Sequence, residues 1–247
     1  MKTADISVEH IDTHGSDLKV VNAARVSFDK QGAWEYAHEE VLVDLEPVQA
    51  WTKRLSDRDT KLIRFLAKHG HWTPFGHCTA TFRVKAPIFV ARQLAKHQVG
   101  LVWNEVSRRY VDDEPEFYIA EPRARAANVK QGSAKEAVRE ADRATDLIKD
   151  ASKAALWDYQ DLLALGVAPE VARCVLPQNT MTSWYWTGSL MAFARVCQLR
   201  LDDHSQEETR VVARYISEHL AREFPVSWRA LLGHELHDHR QGELPLV

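Results

Sequence analysis

The sequence predicts a helix-rich α+β fold, a single domain over residues 1–247 with a small sheet. Three observations carry that expectation. Apolar residues recur at helical spacing in several segments, strict alternation is clear in only one, and no repeat, linker or low-complexity stretch divides the chain. With 247 residues and 45% hydrophobic content, the chain is long enough to bury a sizeable core.

Taken in order, residues 5–11 read as a short strand and 18–28 as a small-residue segment after it. The charged, Trp-containing stretch 30–57 reads as an excursion from the core. From Asp57 to Lys68, Leu62, Ile63, Phe65 and Leu66 fall at near-helical spacing, and Gly70 closes the helix. Thr79 to Ala86 alternates, with Phe82, Val84 and Ala86 on one face and Thr81, Arg83 and Lys85 on the other, the pattern of a half-buried strand. Pro87 ends the strand and opens a helix over Ile88–His97, which Gly100 breaks. Arg92 and Lys96 share one face of that helix, Gln93 and His97 the adjacent one, and a polar loop 104–109 follows. Ser133-Ala-Lys-Glu136 has the capping-box pattern. Behind it Val138, Ala141, Leu147, Ile148, Ala151, Ala155, Tyr159 and Leu162 predict a long amphipathic helix that stops near Gly166. Pro169 starts a short helix, and a last long one fits Ser205–Phe224.

Acidic and basic residues nearly balance, 35 against 32, which argues against general nucleic-acid coating and leaves room for a local basic pocket. No stretch approaches a membrane span, and the start MKTADISVEH lacks an apolar h-region. Three cysteines, Cys78, Cys174 and Cys197, are odd in number and lack metal-type spacing, so a reduced, cytoplasmic setting is expected. Cys174 has apolar neighbours and is expected to be buried and structural rather than a nucleophile. The groups His69, His71, His77 and His234, His237, His239 lack ligand spacing, so no metal is expected. His204 and Glu208, four apart, fit a surface ion pair on a helix.

The charges cluster in one place. Arg92, Lys96, His97, Arg108 and Arg109 flank the apolar run Val99-Gly100-Leu101-Val102-Trp103. A site that holds a flat ring beside an anion accounts for both features. Ser107-Arg108-Arg109 suits a phosphate, with a solvated charge pair as the alternative. Arg173 and Arg200, each set among apolar residues, need either an anionic ligand or ion pairs with Glu170, Asp202 or Asp203. From residue types and spacing alone, the site is a pocket for a phosphorylated ring compound.

The stretch FRVKAPIFVARQLAKHQVGLVWNEVSRRY (82–110) resembles the signature region of the flavin-dependent thymidylate synthases. So do NAARVSF (22–28), HGHWTPFGH (69–77), EVARCVLP (170–177) and LRLDDHSQEE (199–208), in the same order. The resemblance implies a homotetramer with active sites between subunits, FAD as cofactor, methylenetetrahydrofolate as carbon donor and NADPH as reductant. It implies conversion of dUMP to dTMP without a cysteine nucleophile. It assigns Gln93, Lys96, Ser107, Arg108 and Arg109 to the nucleotide, with Ser107 and Arg109 at its phosphate, and puts Glu105 where nucleotide and flavin meet. Arg173 would reach the nucleotide from a neighbouring subunit, and Arg200 would polarise the uracil ring. Lys96, His97 and Gln98 would be the flavin-contacting triplet, with His71 and Thr73 near the flavin.

This chain departs from the family's pattern. Lys96-His97-Gln98 stands for Arg-His-Arg, and the loop Gly100–Trp103 carries one extra residue before Ser107. Ser189, Met191 and Arg195 stand where many members have Asn, Arg and Asn near the flavin, so flavin binding is expected with altered contacts. Two other readings follow: a ribo-UMP C5 methylase of nucleoside-antibiotic biosynthesis, and a non-catalytic nucleotide-binding module. Retention of Glu105, Ser107 and Arg200 together disfavours the second.

Overall fold

The computed structural model describes residues 1–43, 46–111, 113–127 and 132–233. The strands are β1 (Lys2–Thr3), β2 (Ser7–His14), β3 (Glu35–Val43), β4 (Glu46–Arg54), β5 (Thr79–Pro87), β6 (Leu101–Glu105), β7 (Glu116–Phe117), β8 (Arg123–Arg125), β9 (Ser133–Ala137) and β10 (Met181–Ser189). The helices are α1 (Asp17–Arg25), α2 (Asp57–Lys68), α3 (Thr73–Gly76), α4 (Ile88–Leu94), α5 (Ala141–Ala164), α6 (Pro169–Ala172), α7 (Leu190–Arg200), α8 (Glu207–Glu223) and α9 (Pro225–Leu232). This is the α+β architecture that the sequence predicts.

The organising element is a four-stranded antiparallel sheet in the order β2-β5-β10-β6. β5 buries Phe82, Val84 and Ala86 as its alternation requires, and Arg83 faces out. The sheet and α1, α2, α7, α8 and α9 share one apolar cluster, including Ile63, Phe75, Trp184, Trp186, Phe193, Ile216 and Trp228. At about 25 cal/mol per Å² of buried apolar surface, each such side chain contributes roughly 1.5–3 kcal/mol. Asp17, buried in this cluster, accepts the backbone N–H groups of Val226 and Ser227 at 2.9 Å each and so caps α9. Burial raises its pKa, and those two N–H bonds and Ser227 act against the rise.

Gly15 shows how close this packing is. Its φ of +109° suits glycine, and a Cβ there would lie 2.6 Å from the Cys78 Sγ.

The helix over Asp57–Lys68 is α2 as expected, with Ser56 accepting the Asp59 N–H at 3.1 Å as its cap. α5 ends before Gly166, which takes a φ of +83°. The 30–57 excursion is the hairpin β3–β4, whose strands pair only with each other among the described residues.

Four expectations are corrected. Residues 18–28 are largely helix, in α1. The capping-box residues Ser133–Glu136 form β9, because the Ser133 hydroxyl accepts the Arg123 Nε–H at 2.9 Å instead of capping a helix. Of the Gly100–Trp103 loop, Leu101 to Trp103 begin β6, paired with β10 in the register Trp103↔Trp186. His204 precedes α8 and bonds Asp202 at 2.9 Å, while Glu208 is 1% exposed and accepts from Arg123 at 2.6 Å. The last result follows from tertiary placement: β8 lays a cation over the first turn of α8, so Glu208 is covered rather than solvated.

Candidate active site

Two adjacent residues of α4 point into different clefts: Arg92 lines the first and Gln93 the second. Consecutive helical residues diverge by about 100°, so one short helix walls both.

The first cleft, about 650 Å³, gathers Lys85, Arg92, Glu105, Arg108, Arg173, Cys174 and Thr182. Glu105 ends β6, and the β6–β10 register brings it beside β10. There Thr182 Oγ1 donates to Glu105 Oε1 at 2.7 Å, and Trp103 Nε1 donates to Oε2 at 3.2 Å. Lys85 is paired with Glu116 at 2.6 Å. The arginines are not spent on carboxylates among the described residues: Arg108 donates to the Asp113 carbonyl at 2.8 Å and Arg173 to the Glu170 carbonyl at 3.2 Å. Outside the cleft, Arg109 Nε donates to Ser107 Oγ at 3.1 Å. Of the two readings for Arg173, an ion pair with Glu170 is not what forms. The cleft is basic and ready for an anion.

The second cleft, about 560 Å³, is lined by Gln93, Arg200, Asp202, His204 and Gln206 among others. Arg200 ends α7, where its Nε–H donates to His97 Nε2 at 2.9 Å and Nη2 reaches the Gln93 carbonyl at 3.5 Å. Both carboxylates that follow it are diverted, Asp202 to His204 and Asp203 to Arg210. A half-buried guanidinium is thus left to serve a ligand's acceptors. Gln93 is pinned by α8: its amide donates to Gln206 Oε1, and its Oε1 accepts from Thr209 Oγ1 at 3.1 Å.

The residues matched to flavin contacts are spread along α7, from Ser189 at its start to His97 beside Arg200 at its end. Lys96, His97 and Gln98 form the turn after α4, and Gly100, at φ +75°, returns the chain so that its carbonyl accepts the Ser189 N–H at 3.1 Å. Ser189 caps α7 by accepting the Ala192 N–H at 3.2 Å, and Arg195 projects exposed one turn on. Met191 packs against the core instead. His71 and Thr73 are exposed at the start of α3, which touches α7. Phe65 lies against the His69 and His71 rings, at centroid distances of 4.4 and 5.9 Å.

The apolar run beside these charges divides with strand periodicity. Trp103 turns inward and stacks on Trp184 at 4.3 Å, whereas Val102 is 65% exposed. Trp103 therefore belongs to the sheet and does not form a free wall.

The family described as thymidylate synthase complementing protein matches residues 9–226. The chain belongs to this family. It is 35% identical to a flavin-dependent thymidylate synthase of Thermosipho africanus over 90% of this chain and 89% of the relative. It is 36% identical to one of Thermus thermophilus over 93% of this chain and 76% of the relative. Among solved structures, the UMP/dUMP methylase PolB from Streptomyces cacaoi bound with 5-Br dUMP superposes with a TM-score of 0.77 at 29% identity. That match covers 94% of this chain and 97% of PolB. The same methylase bound with 5-Br UMP gives 0.76 at 28% identity, covering 94% of this chain and 96% of that one.

Placed on this family member, the residues singled out in sequence separate into sets. Glu105, Arg108 and Arg173 share the first cleft and Gln93 and Arg200 the second, while Ser107 and Arg109 line neither. Thr182, Gln206 and Thr209 were not foreseen. They act on Glu105 and Gln93 through strand register and helix packing, for which no local sequence signal exists.

Cys174 is a correction: it is exposed in the 3-10 turn Arg173–Val175 after α6, and lines the first cleft. α6 is one turn long, and only Ala172 of it is buried, so the apolar neighbours never enclose the thiol. Cys78 and Cys197 are buried, which pushes both thiols up. His234, His237 and His239 lie outside the described residues. Among the described residues no helix is long and apolar enough to cross a membrane.

Proposed function

We propose that the protein is a flavin-dependent methyltransferase that converts dUMP to dTMP, with methylenetetrahydrofolate as carbon donor and NADPH as reductant. The observation that carries this reading is Arg200, half-buried, hydrogen-bonded through Nε and without a carboxylate partner among the described residues. C5 of uracil is a weak nucleophile. A fixed cation at a ring carbonyl stabilises the negative charge that develops as C5 attacks, and does so without covalent attachment. Cationic side chains of the first cleft, Arg92, Arg108 and Arg173, supply what a nucleotide monophosphate needs. Glu105 is clamped by Thr182 and Trp103, which supports its role between nucleotide and cofactor.

The donor set around α7 fits FAD in its chemistry: Lys96 and Arg195 are exposed cations suited to a pyrophosphate, and His71, His97 and Gln98 present ring and amide groups. When bound, the flavin supplies the hydride chemistry. Lys96 keeps the triplet's charge without a planar fork, and Gln98 carries none, so Arg195 would supply the second cation for the pyrophosphate. The residues assigned to the nucleotide's phosphate and to its ring line separate clefts of one chain, which supports a homotetramer whose sites form between subunits. The free thiols fit a cytoplasmic setting.

A second reading is favoured by the likeness to a methylase bound with both 5-Br dUMP and 5-Br UMP: the enzyme also accepts UMP. Phosphate and ring contacts are common to the two nucleotides, so discrimination is expected below about 10²-fold in kcat/KM. Mass-spectrometric assay of dUMP and UMP in parallel, with the same folate and NADPH, tests both. No methylation of either nucleotide by the flavin-loaded protein would reject the function.

A further inference from the structure

Arg200 has four rotatable side-chain bonds, sits at the last residue of α7 and has no carboxylate partner among the described residues. Left to itself, such a side chain samples many rotamers, at roughly 2 kcal/mol of entropy when fixed. One contact defines its plane. Arg200 Nε donates to His97 Nε2 at 2.9 Å, while Nη2 only grazes the Gln93 carbonyl at 3.5 Å. His97 comes from a different element, the turn after α4, and α4 is itself locked to α8 through Gln93, Gln206 and Thr209. We propose that His97 is a positioning residue for Arg200: its unprotonated Nε2 holds the guanidinium edge so that the two Nη groups face the nucleotide ring. This rests on the proposed role of Arg200, and it gives His97 a task separate from any flavin contact.

The chemistry requires one tautomer. Nε2 accepts the Arg200 proton, so the imidazole is neutral and carries its own proton on Nδ1. Burial first, and then the Arg200 charge, hold the His97 pKa below its usual value. Among the described residues the charge that acts on it is Arg200 of α7; the turn itself carries Lys96 and Gln98, and Gln206 and Thr209 at the start of α8 are neutral. Protonation of His97 removes the acceptor and sets two cations side by side, so the grip on Arg200 is lost in acid.

The test uses the purified, flavin-containing protein, with dUMP affinity measured by calorimetry from pH 5 to 8 and flavin occupancy by absorbance. His97→Ala is expected to weaken dUMP binding about 10–100-fold at pH 7.5, the range for a hydrogen bond to a charged group. His97→Gln, whose Oε1 accepts the same proton and does not titrate, is expected within about threefold of wild type. Below pH 6.5 the wild type loses affinity more steeply than His97→Gln, the titration of the nucleotide phosphate being common to both. Adding His97→Ala to Arg200→Ala is expected to produce no further loss, since both remove one contact.

Additive losses in that double variant, superimposable pH profiles, or unchanged dUMP affinity in His97→Ala would each overturn the inference. An effect of His97 through the flavin gives the additive result, so it is not mistaken for support. If Arg200→Ala itself binds dUMP as wild type does, the ring contact assigned to Arg200 fails and the positioning role with it; if only His97→Ala does, the positioning role alone fails.

Discussion

In the second cleft the cation of interest, Arg200, is half-buried and held through Nε by a side chain from another element. In the first, Arg173 is exposed and its one hydrogen bond among the described residues is to a backbone carbonyl three residues before it. Both arginines follow apolar residues in sequence, and both escape the carboxylates that were candidate partners. The difference lies in what surrounds them. α7 is a core helix, so its last residue inherits a rigid base, whereas α6 is a single turn at the surface. A preorganised donor acts on the developing charge with no reorganisation; a surface arginine awaits whatever closes over it. Under the proposed function, the contrast fits ring chemistry in the second cleft and phosphate capture, completed from outside the cleft, in the first.

The sharpest way to break this contrast is Arg200→Ala. Turnover is expected to fall about 10²–10³-fold, the range for removing one oxyanion-type donor, with flavin absorbance unchanged. Wild-type turnover would transfer the ring role elsewhere.

Mixing Arg173→Ala with Arg200→Ala protein addresses the division between clefts. If each site draws one cleft from each of two subunits, random exchange restores about a quarter of the sites. Activity that stays at the level of the separate variants, after exchange is verified by mass spectrometry, would put both clefts' contributions within one chain.

Thr182→Val sharpens the comparison inside the first cleft, where Glu105 is held by two side chains, Thr182 and Trp103. Loss of that hydroxyl is expected to lower kcat/KM about 3–10-fold, in line with one net hydrogen bond. An unchanged value would show that Trp103 alone holds the carboxylate.

The smallest effect is expected for Cys174→Ser: activity within about twofold of wild type. Burial no longer argues against Cys174, since it is exposed in the first cleft. The argument is now the ring activation assigned to Arg200, which needs no thiol adduct. A covalent nucleotide on Cys174, sought by intact-protein mass spectrometry, would reverse it.

Much of this was legible in the residues because it is local. α2, β5 and α5 follow from spacing, capping and breakers that act within a turn or two. α7 is hard to read: Leu190, Ala192, Phe193, Ala194, Val196 and Cys197 are buried, and the exposed face mixes Arg195 and Gln198 with apolar Leu199, so the polar stripe that would betray its period is broken. β9 imitated a helix start because Ser and Glu at that spacing cap only when the following residues turn, and pairing with β8 prevents it. β6 hid because its single alternation, Trp103 in and Val102 out, becomes visible only once β10 is beside it.

The site divides the same way. The sequence by itself determined the cast: the cations from Arg92 to Arg109, Glu105, Arg173 and Arg200, and the motifs that ally the chain with its family. Tertiary structure decided the assignments: which arginine is held, which carboxylates are diverted to His204 and Arg210, and that His97 meets Arg200 across more than a hundred residues. The reason is the range of the forces. Propensity and capping operate over a few residues, whereas a hydrogen bond between α7 and the turn after α4 exists only because the apolar cluster beneath packs both onto one sheet.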